Sequence, residues 1–251
     1  MKLEYEVDDG IGTITLSDPP KNTLRGPAFA DRAVLESFLS REDLKGVVIR
    51  GAGRHFSAGA DLDELRRRRA DERSLESLAK ELEEGKAALE AITFAPVPVV
   101  AMIKGSCLGA GLEIAMAAHF RIASENALLG YPESGLGLIP GLGGTATTPE
   151  VLPRRVAIDL ILSGRMLSAE EALETGLVDR VVPTSDLPST TRGFLTNLVA
   201  RRSPMIIHAI MTAIHNARRL PREEALREEG RLFLEVARAT SLSGGDGGER
   251  N

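Results

Sequence analysis

The sequence of 251 residues predicts an α/β fold of repeated strand–strand–helix units followed by a helical C-terminal region. Three observations predict it. Short apolar runs at 47–49 and 99–103 read as buried strands, and each leads into a glycine-rich turn and then a helical segment. Residues 2–7 and 11–17 alternate as paired strands do. After about residue 190 only helical periodicity remains.

In order, Asp8, Asp9 and Gly10 read as the turn between the first two strands, and Pro19 and Pro20 end the second. Proline suits a first helical turn, so a helix is predicted over 27–40. Residues 61–92 form a charged helical stretch in which Leu75, Leu78, Leu82, Leu89 and Ile92 make one apolar stripe. Pro96 and Pro98 break it before the strand at 99–103. A glycine-rich motif at 105–113 opens a helix over 110–118, whose small residues predict burial on most sides. A strand at 120–123, a helix at 154–163 and a strand at 178–182 follow. Beyond them, Ile207, Ile210, Met211 and Ile214 give one amphipathic face, and Leu226, Phe233 and Val236 give another after Pro221. Apolar stripes on a terminal helical region predict subunit contacts. We therefore divide the chain into a core over 1–190 that carries the site and a helical oligomerisation region over 191–251, with a disordered tail from about 242.

Composition narrows the function. A net charge of −5, with aromatics at 4% and no Trp, argues against a general nucleic-acid binder and against stacking-based recognition. One cysteine, Cys107, excludes an intramolecular disulfide and fits a reducing compartment; we read it as core packing. The N-terminal residues lack a signal-peptide core, and no apolar run reaches membrane-spanning length, so a cytoplasmic protein without membrane association is expected. His55, His119, His208 and His215 show no metal-ligand spacing, so no metal is expected.

The chemistry concentrates in three glycine-rich elements. Residues 55–62 follow a strand and open a helix, so the amides around Ser57, Ala58, Gly59, Ala60 and Asp61 have no helical partner. On the residues alone, that element is equally a simple turn. Gly109, Ala110 and Gly111 occupy the same context ahead of Glu113. Their spacing is not that of a dinucleotide fingerprint. Glu133 stands ahead of a third run, Gly135 to Gly144. Two carboxyl groups beside two loops of free amides can move a water and a proton next to an oxyanion.

Residues 56–62, 109–113, 132–133, 137–145 and 172–182, in this order and spacing, resemble the enoyl-CoA hydratase/isomerase (crotonase) superfamily from about residue 3 to 240. The resemblance implies a crotonase-like spiral of β-β-α units with a C-terminal helical region that builds trimers, often paired into hexamers. It implies an acyl-CoA thioester as substrate, with coenzyme A entering as part of the substrate and no separate cofactor. It places the oxyanion hole on the N–H groups of Ala58 and Ala110, contacts typically worth about 3 kcal/mol per donor. It assigns Ser57, Ala58, Gly59, Ala60, Asp61, Leu62, Gly109, Ala110 and Tyr131 to CoA and substrate binding, with Lys21 either near CoA phosphates or simply solvated. Hydratases of this family carry Glu at both positions matched by Glu113 and Glu133. The implied activity is therefore a hydro-lyase acting at the 2,3-double bond through an enolate. A 3,2-isomerase is the first alternative, and a non-catalytic or RNA-associated binding protein is the alternative of another class.

The chain departs from the family pattern at several places. Residues 146–150 replace a common Gln-Arg pair, Tyr131 stands where Gln or Leu is frequent, and His119 stands where Asp is usual. The sequence ends soon after the helix expected at 222–240, so the resemblance's usual final helix, which ends in basic residues and helps cover the acyl pocket, is expected to be missing. The basic run 66–69 lies in a segment, 61–90, with seven Lys or Arg against ten Asp or Glu, and reads as a solvated face.

Overall fold

The computed structural model describes residues 1–68 and 72–241. Strands β1 (Lys2–Asp8) and β2 (Ile11–Ser17) form the predicted hairpin, and Asp9 and Gly10 take the positive φ values (49° and 73°) that a two-residue turn of this hand needs. β1 is an edge strand whose outward residues Lys2, Glu4, Glu6 and Asp8 are charged, which discourages pairing with another sheet. The first helix, α1 (Arg32–Leu39), starts later than the predicted residue 27. Asp31 Oδ1 accepts the N–H groups of Ala33 (2.9 Å) and Val34 (3.2 Å) and so fixes the first turn there. β3 (Gly46–Gly51) follows. The helical stretch expected over 61–92 is two helices, α2 (Leu62–Arg68) and α3 (Glu72–Thr93); Arg69 of the basic run lies outside the described residues.

The core continues through β4 (Val99–Ile103), β5 (Ser106–Leu108), α4 (Ala110–Ala117), β6 (Phe120–Ser124) and β7 (Leu128–Gly130). A short 3-10 turn (Pro132–Leu136) precedes α5 (Gly144–Val151) and α6 (Arg154–Ser163). Then come β8 (Met166–Ser168), α7 (Ala169–Thr175), β9 (Arg180–Val182), α8 (Leu187–Val199), α9 (Pro204–Arg219) and α10 (Arg222–Ser241). The expected disordered tail lies outside the described residues.

Six strands pair in the order β1-β2-β3-β4-β6-β9, parallel except for β1 with β2, and β5-β7-β8 form a second sheet. Each middle repeat thus places its first strand in the large sheet and its second in the small one. The chain steps between the sheets once per repeat, which is the spiral. Ser57 bridges Cys107, so the loop after β3 joins the edge of the small sheet. β4, flanked on both sides, is apolar throughout, as a buried parallel strand must be. Every residue of α4 is buried, as its small side chains predict.

α8 lies on the sheet: Leu195 is fully buried, and a Cβ on Gly46 would fall 2.8 Å from its Cδ1. α9 is anchored by His215, whose Nε2 donates to the Ala95 carbonyl at 2.9 Å and whose ring stacks on His119 with centroids 5.4 Å apart. The apolar stripe on α9 divides: Ile207 is buried, while Ile210 and Ile214 are exposed. On α10, Leu226, Phe233 and Leu234 are exposed. Among the described residues no helix is long and apolar enough to cross a membrane.

Candidate active site

The two glutamates meet at one apolar cavity of about 170 Å³. Glu113 reaches it from the first turn of α4, and Glu133 from the 3-10 turn that follows β7. The walls include Leu24, Leu65, Leu78, Leu82, Leu138 and Leu142, so the α3 stripe read from the sequence supplies part of the cavity lining as well as the core.

Glu113 is 3% exposed, and its Oε1 accepts the N–H groups of Leu142 and Gly144, each at 2.7 Å. Burial raises its pKa to about 7; the two N–H groups pull it down, and the neighbouring charge of Glu133 pushes it up again. Burial also raises Glu133, whose Oε2 is buried and has no hydrogen-bond partner among the described residues. Glu133 packs against the α4 N-terminus, where a Cβ on Gly109 would lie 2.7 Å from its Oε1. With φ at +52°, Gly109 is glycine for conformation as well as space.

The oxyanion loop needs a correction. Ala58 N–H donates to the Lys21 carbonyl at 2.9 Å, so it is already used and cannot receive a substrate oxygen. Leu24 pairs with Gly59 O and Asp61 N–H (2.9 and 2.8 Å), which turns the Ala60 N–H to the opposite edge, toward the cavity. Ala110, at the first position of α4, also lines the cavity, and its N–H is one that the helix cannot satisfy. Neither Ala60 nor Ala110 N–H has an acceptor among the described residues. The two loops touch: a Cβ on Gly59 would stand 2.6 Å from Leu108 O and 3.4 Å from Ala110 N. The pair of free donors is therefore Ala60 and Ala110.

Other expected contacts divide. Asp61 lines the cavity and also caps α2, its Oδ1 accepting from Asp63 and Glu64 N–H at 3.0 and 3.1 Å. Ala58, Leu62 and Lys21 border an outer groove that shares Arg25, Ala60, Asp61 and Glu64 with the cavity. Lys21 has no carboxylate partner among the described residues, whereas Arg67 in the same groove is paired with Glu64 at 2.7 Å. Ser57 does not reach the cavity: it is fully buried, its Oγ donating to Asn22 O at 2.7 Å and accepting Gly59 N–H at 3.1 Å. Gly59 and Gly109 shape the loops without lining the cavity. Tyr131 is likewise a correction, being fully buried behind the cavity with its hydroxyl on Thr148 Oγ1 at 3.0 Å.

Asn22 supports the site without any mark in the sequence. It is fully buried at a positive φ of 50°, and its Nδ2 donates to Ala52, His55 and Phe56 carbonyls at 2.9, 2.8 and 3.2 Å. With Ser57 on its carbonyl, it ties the loop carrying Ala60 to the end of β2. Nothing in the local sequence marks such a residue, because polar side chains at loop starts usually face water. Cys107 is fully buried, with its thiol pushed far up by burial, so it is core as expected. Arg66, Arg67 and Arg68 of the basic run are paired with Asp63, Glu64 and Glu81.

This fold and cavity agree with what the chain resembles. The enoyl-CoA hydratase/isomerase family profile matches residues 6–247, and the chain belongs to that family. It is 34% identical over 235 residues to a protein of Bacillus subtilis described as a probable enoyl-CoA hydratase, covering 93% of this chain and 90% of that one. It is 38% identical over 203 residues to the Arabidopsis thaliana peroxisomal fatty acid β-oxidation multifunctional protein MFP2; the match covers 79% of this chain but spans only 27% of the plant protein. Among solved structures, the Bacillus anthracis enoyl-CoA hydratase superposes with a TM-score of 0.80 at 30% identity, covering 95% of this chain and 92% of that one.

Proposed function

We propose that the chain is a hydro-lyase that adds water across the 2,3-double bond of an enoyl-CoA thioester, or removes it, within fatty-acid β-oxidation. The observation that carries this reading is the convergence of Glu113, Glu133 and the unpaired N–H groups of Ala60 and Ala110 on one apolar cavity. The thioester oxygen accepts from Ala60 and Ala110, which stabilise the negative charge it gains as the enolate forms. Glu113, held by two N–H donors that favour its anion, takes a proton from water, and the hydroxide adds to C3. Glu133, whose unpartnered Oε2 favours the neutral acid, gives its proton to C2. The products are a 3-hydroxyacyl thioester, a protonated Glu113 and an ionised Glu133. Proton transfer between the two carboxyl groups resets the pair.

The outer groove supports a CoA-binding role, with Lys21 available to the phosphates and Arg25, paired with Asp18 at 3.8 Å, beside it. A homotrimer or a hexamer of paired trimers is proposed with it, supported by the exposed Ile210, Ile214, Phe233 and Leu234 on the C-terminal helices. A cytoplasmic location is the setting we propose, supported by a single buried thiol. Mixing with a 2-enoyl-CoA in heavy-oxygen water tests the reaction. Loss of conjugated-thioester absorbance with one labelled oxygen at C3 supports hydration; a shifted double bond without label means an isomerase, and binding without turnover means a non-catalytic protein. Solution mass tests the assembly.

A further inference from the structure

Two departures from the family pattern, Tyr131 and the 146–150 segment, touch each other. We propose that Tyr131 and Thr148 form a positioning pair that sets Glu113 through the first turn of α5, an inference that rests on the hydratase reading above. Both side chains are fully buried, and Thr148 Oγ1 donates to the Tyr131 hydroxyl at 3.0 Å. Thr148 lies one turn along α5 from Gly144, whose N–H, with that of Leu142, holds Glu113 Oε1 at 2.7 Å. Tyr131 also packs directly on this contact. A Cβ on Gly144 would meet Tyr131 Cε1 at 2.9 Å and Glu113 Cγ at 3.2 Å.

α5 needs an outside anchor. It has eight residues, no side-chain cap at Gly143, and Pro149 inside it, so its own hydrogen bonds hold it weakly. Tyr131, in turn, immediately precedes the 3-10 turn that carries Glu133. One buried hydroxyl pair therefore joins the backbone bearing one glutamate to the helix that grips the other. Neither residue lines the cavity, so both act on Glu113 and not on substrate.

The test compares the wild type with Tyr131→Phe, Thr148→Val, the double variant and Thr148→Ser, in steady-state hydration of a 2-enoyl-CoA across pH. Tyr131→Phe and Thr148→Val are each expected to lower kcat about fivefold, the size of one buried hydrogen bond, while KM stays within about twofold. The double variant loses no more than the weaker single, because both remove the same contact. Thr148→Ser keeps the hydroxyl and retains wild-type kcat. The pH–rate limb that belongs to Glu113 moves upward in Tyr131→Phe and Thr148→Val, since looser N–H donation leaves the carboxylate easier to protonate. If both single variants kept wild-type kcat and pH profile, with only a lower melting temperature, or if their effects on kcat simply added, the inference would be overturned. Should Thr148→Val not fold, Tyr131→Phe and Thr148→Ser decide it alone. A wild-type protein without hydration activity would instead overturn the functional reading.

Discussion

At the scale of single residues, Glu113 shows what the chemistry costs the fold. Its ordinary pKa of 4.5 rises to about 7 in the folded protein, mainly through burial. The folded state therefore binds this proton more tightly than the unfolded chain. Stability gained from it is complete below about pH 4.5 and is lost as pH rises through 7. Glu113→Gln has no charge to bury, and its amide oxygen can still accept from Leu142 and Gly144. It should be more stable than the wild type at pH 8, by up to roughly 3 kcal/mol, with the difference vanishing near pH 4. Denaturant unfolding at the two pH values checks this. Both glutamates were legible in the sequence because Glu113 closes one glycine-rich run and Glu133 stands just ahead of another. Which amide faces the substrate was not, because Ala58 and Ala60 differ only in the strand edge that each presents.

At the scale of elements, the strands and helices with enough residues to show a period were readable. The parallel strand β4 and helices α4 and α6 fall where their apolar patterns place them. The small sheet was not, since β5, β7 and β8 have three residues each and cannot display alternation. α5 was hidden by its composition: Gly144 at its start and Pro149 inside it read as loop, and packing overrides that local preference. The loop carrying Ala60 depends on Asn22. Replacing it with Ala leaves the carbonyls of Ala52, His55 and Phe56 without their donor. Asn22→Ala should cost about 3 kcal/mol in thermal or denaturant unfolding. It should also lower kcat, because the free Ala60 N–H loses its support.

At the scale of the whole molecule, the C-terminal helices are coupled to the core through a pair of imidazoles. His119 accepts Val99 N–H on Nδ1 at 2.8 Å, so its proton resides on Nε2, which donates to Thr93 O at 3.1 Å. Burial holds its pKa down at about 4, against an ordinary value of 6.5, with His215, Arg121 and Arg218 adding repulsion. His215 on α9, stacked on it, is lowered for the same first reason. Stability from His119 is therefore complete above pH 6.5 and falls as pH drops to 4, by roughly 3 kcal/mol. Glu113 runs the opposite way over nearly the same range, so the wild type should show a flatter pH–stability curve than either variant. His119→Gln should gain stability steadily on acidification from pH 7 to 4.5, where the wild type changes little, as melting temperatures across that range would show. His119 stands out in the sequence as a departure from the family pattern, but its stacking partner lies on a helix far along the chain and leaves no local trace.

In the proposed hydration, Glu113 and Glu133 work as a pair on one water. Hydration kinetics of Glu113→Gln and Glu133→Gln, each measured separately on the same 2-enoyl-CoA, test it most directly. The pair predicts that either substitution alone lowers kcat by about a hundredfold or more with KM little changed, since each removes one of the two proton transfers. Either variant retaining wild-type kcat would rule out the paired mechanism.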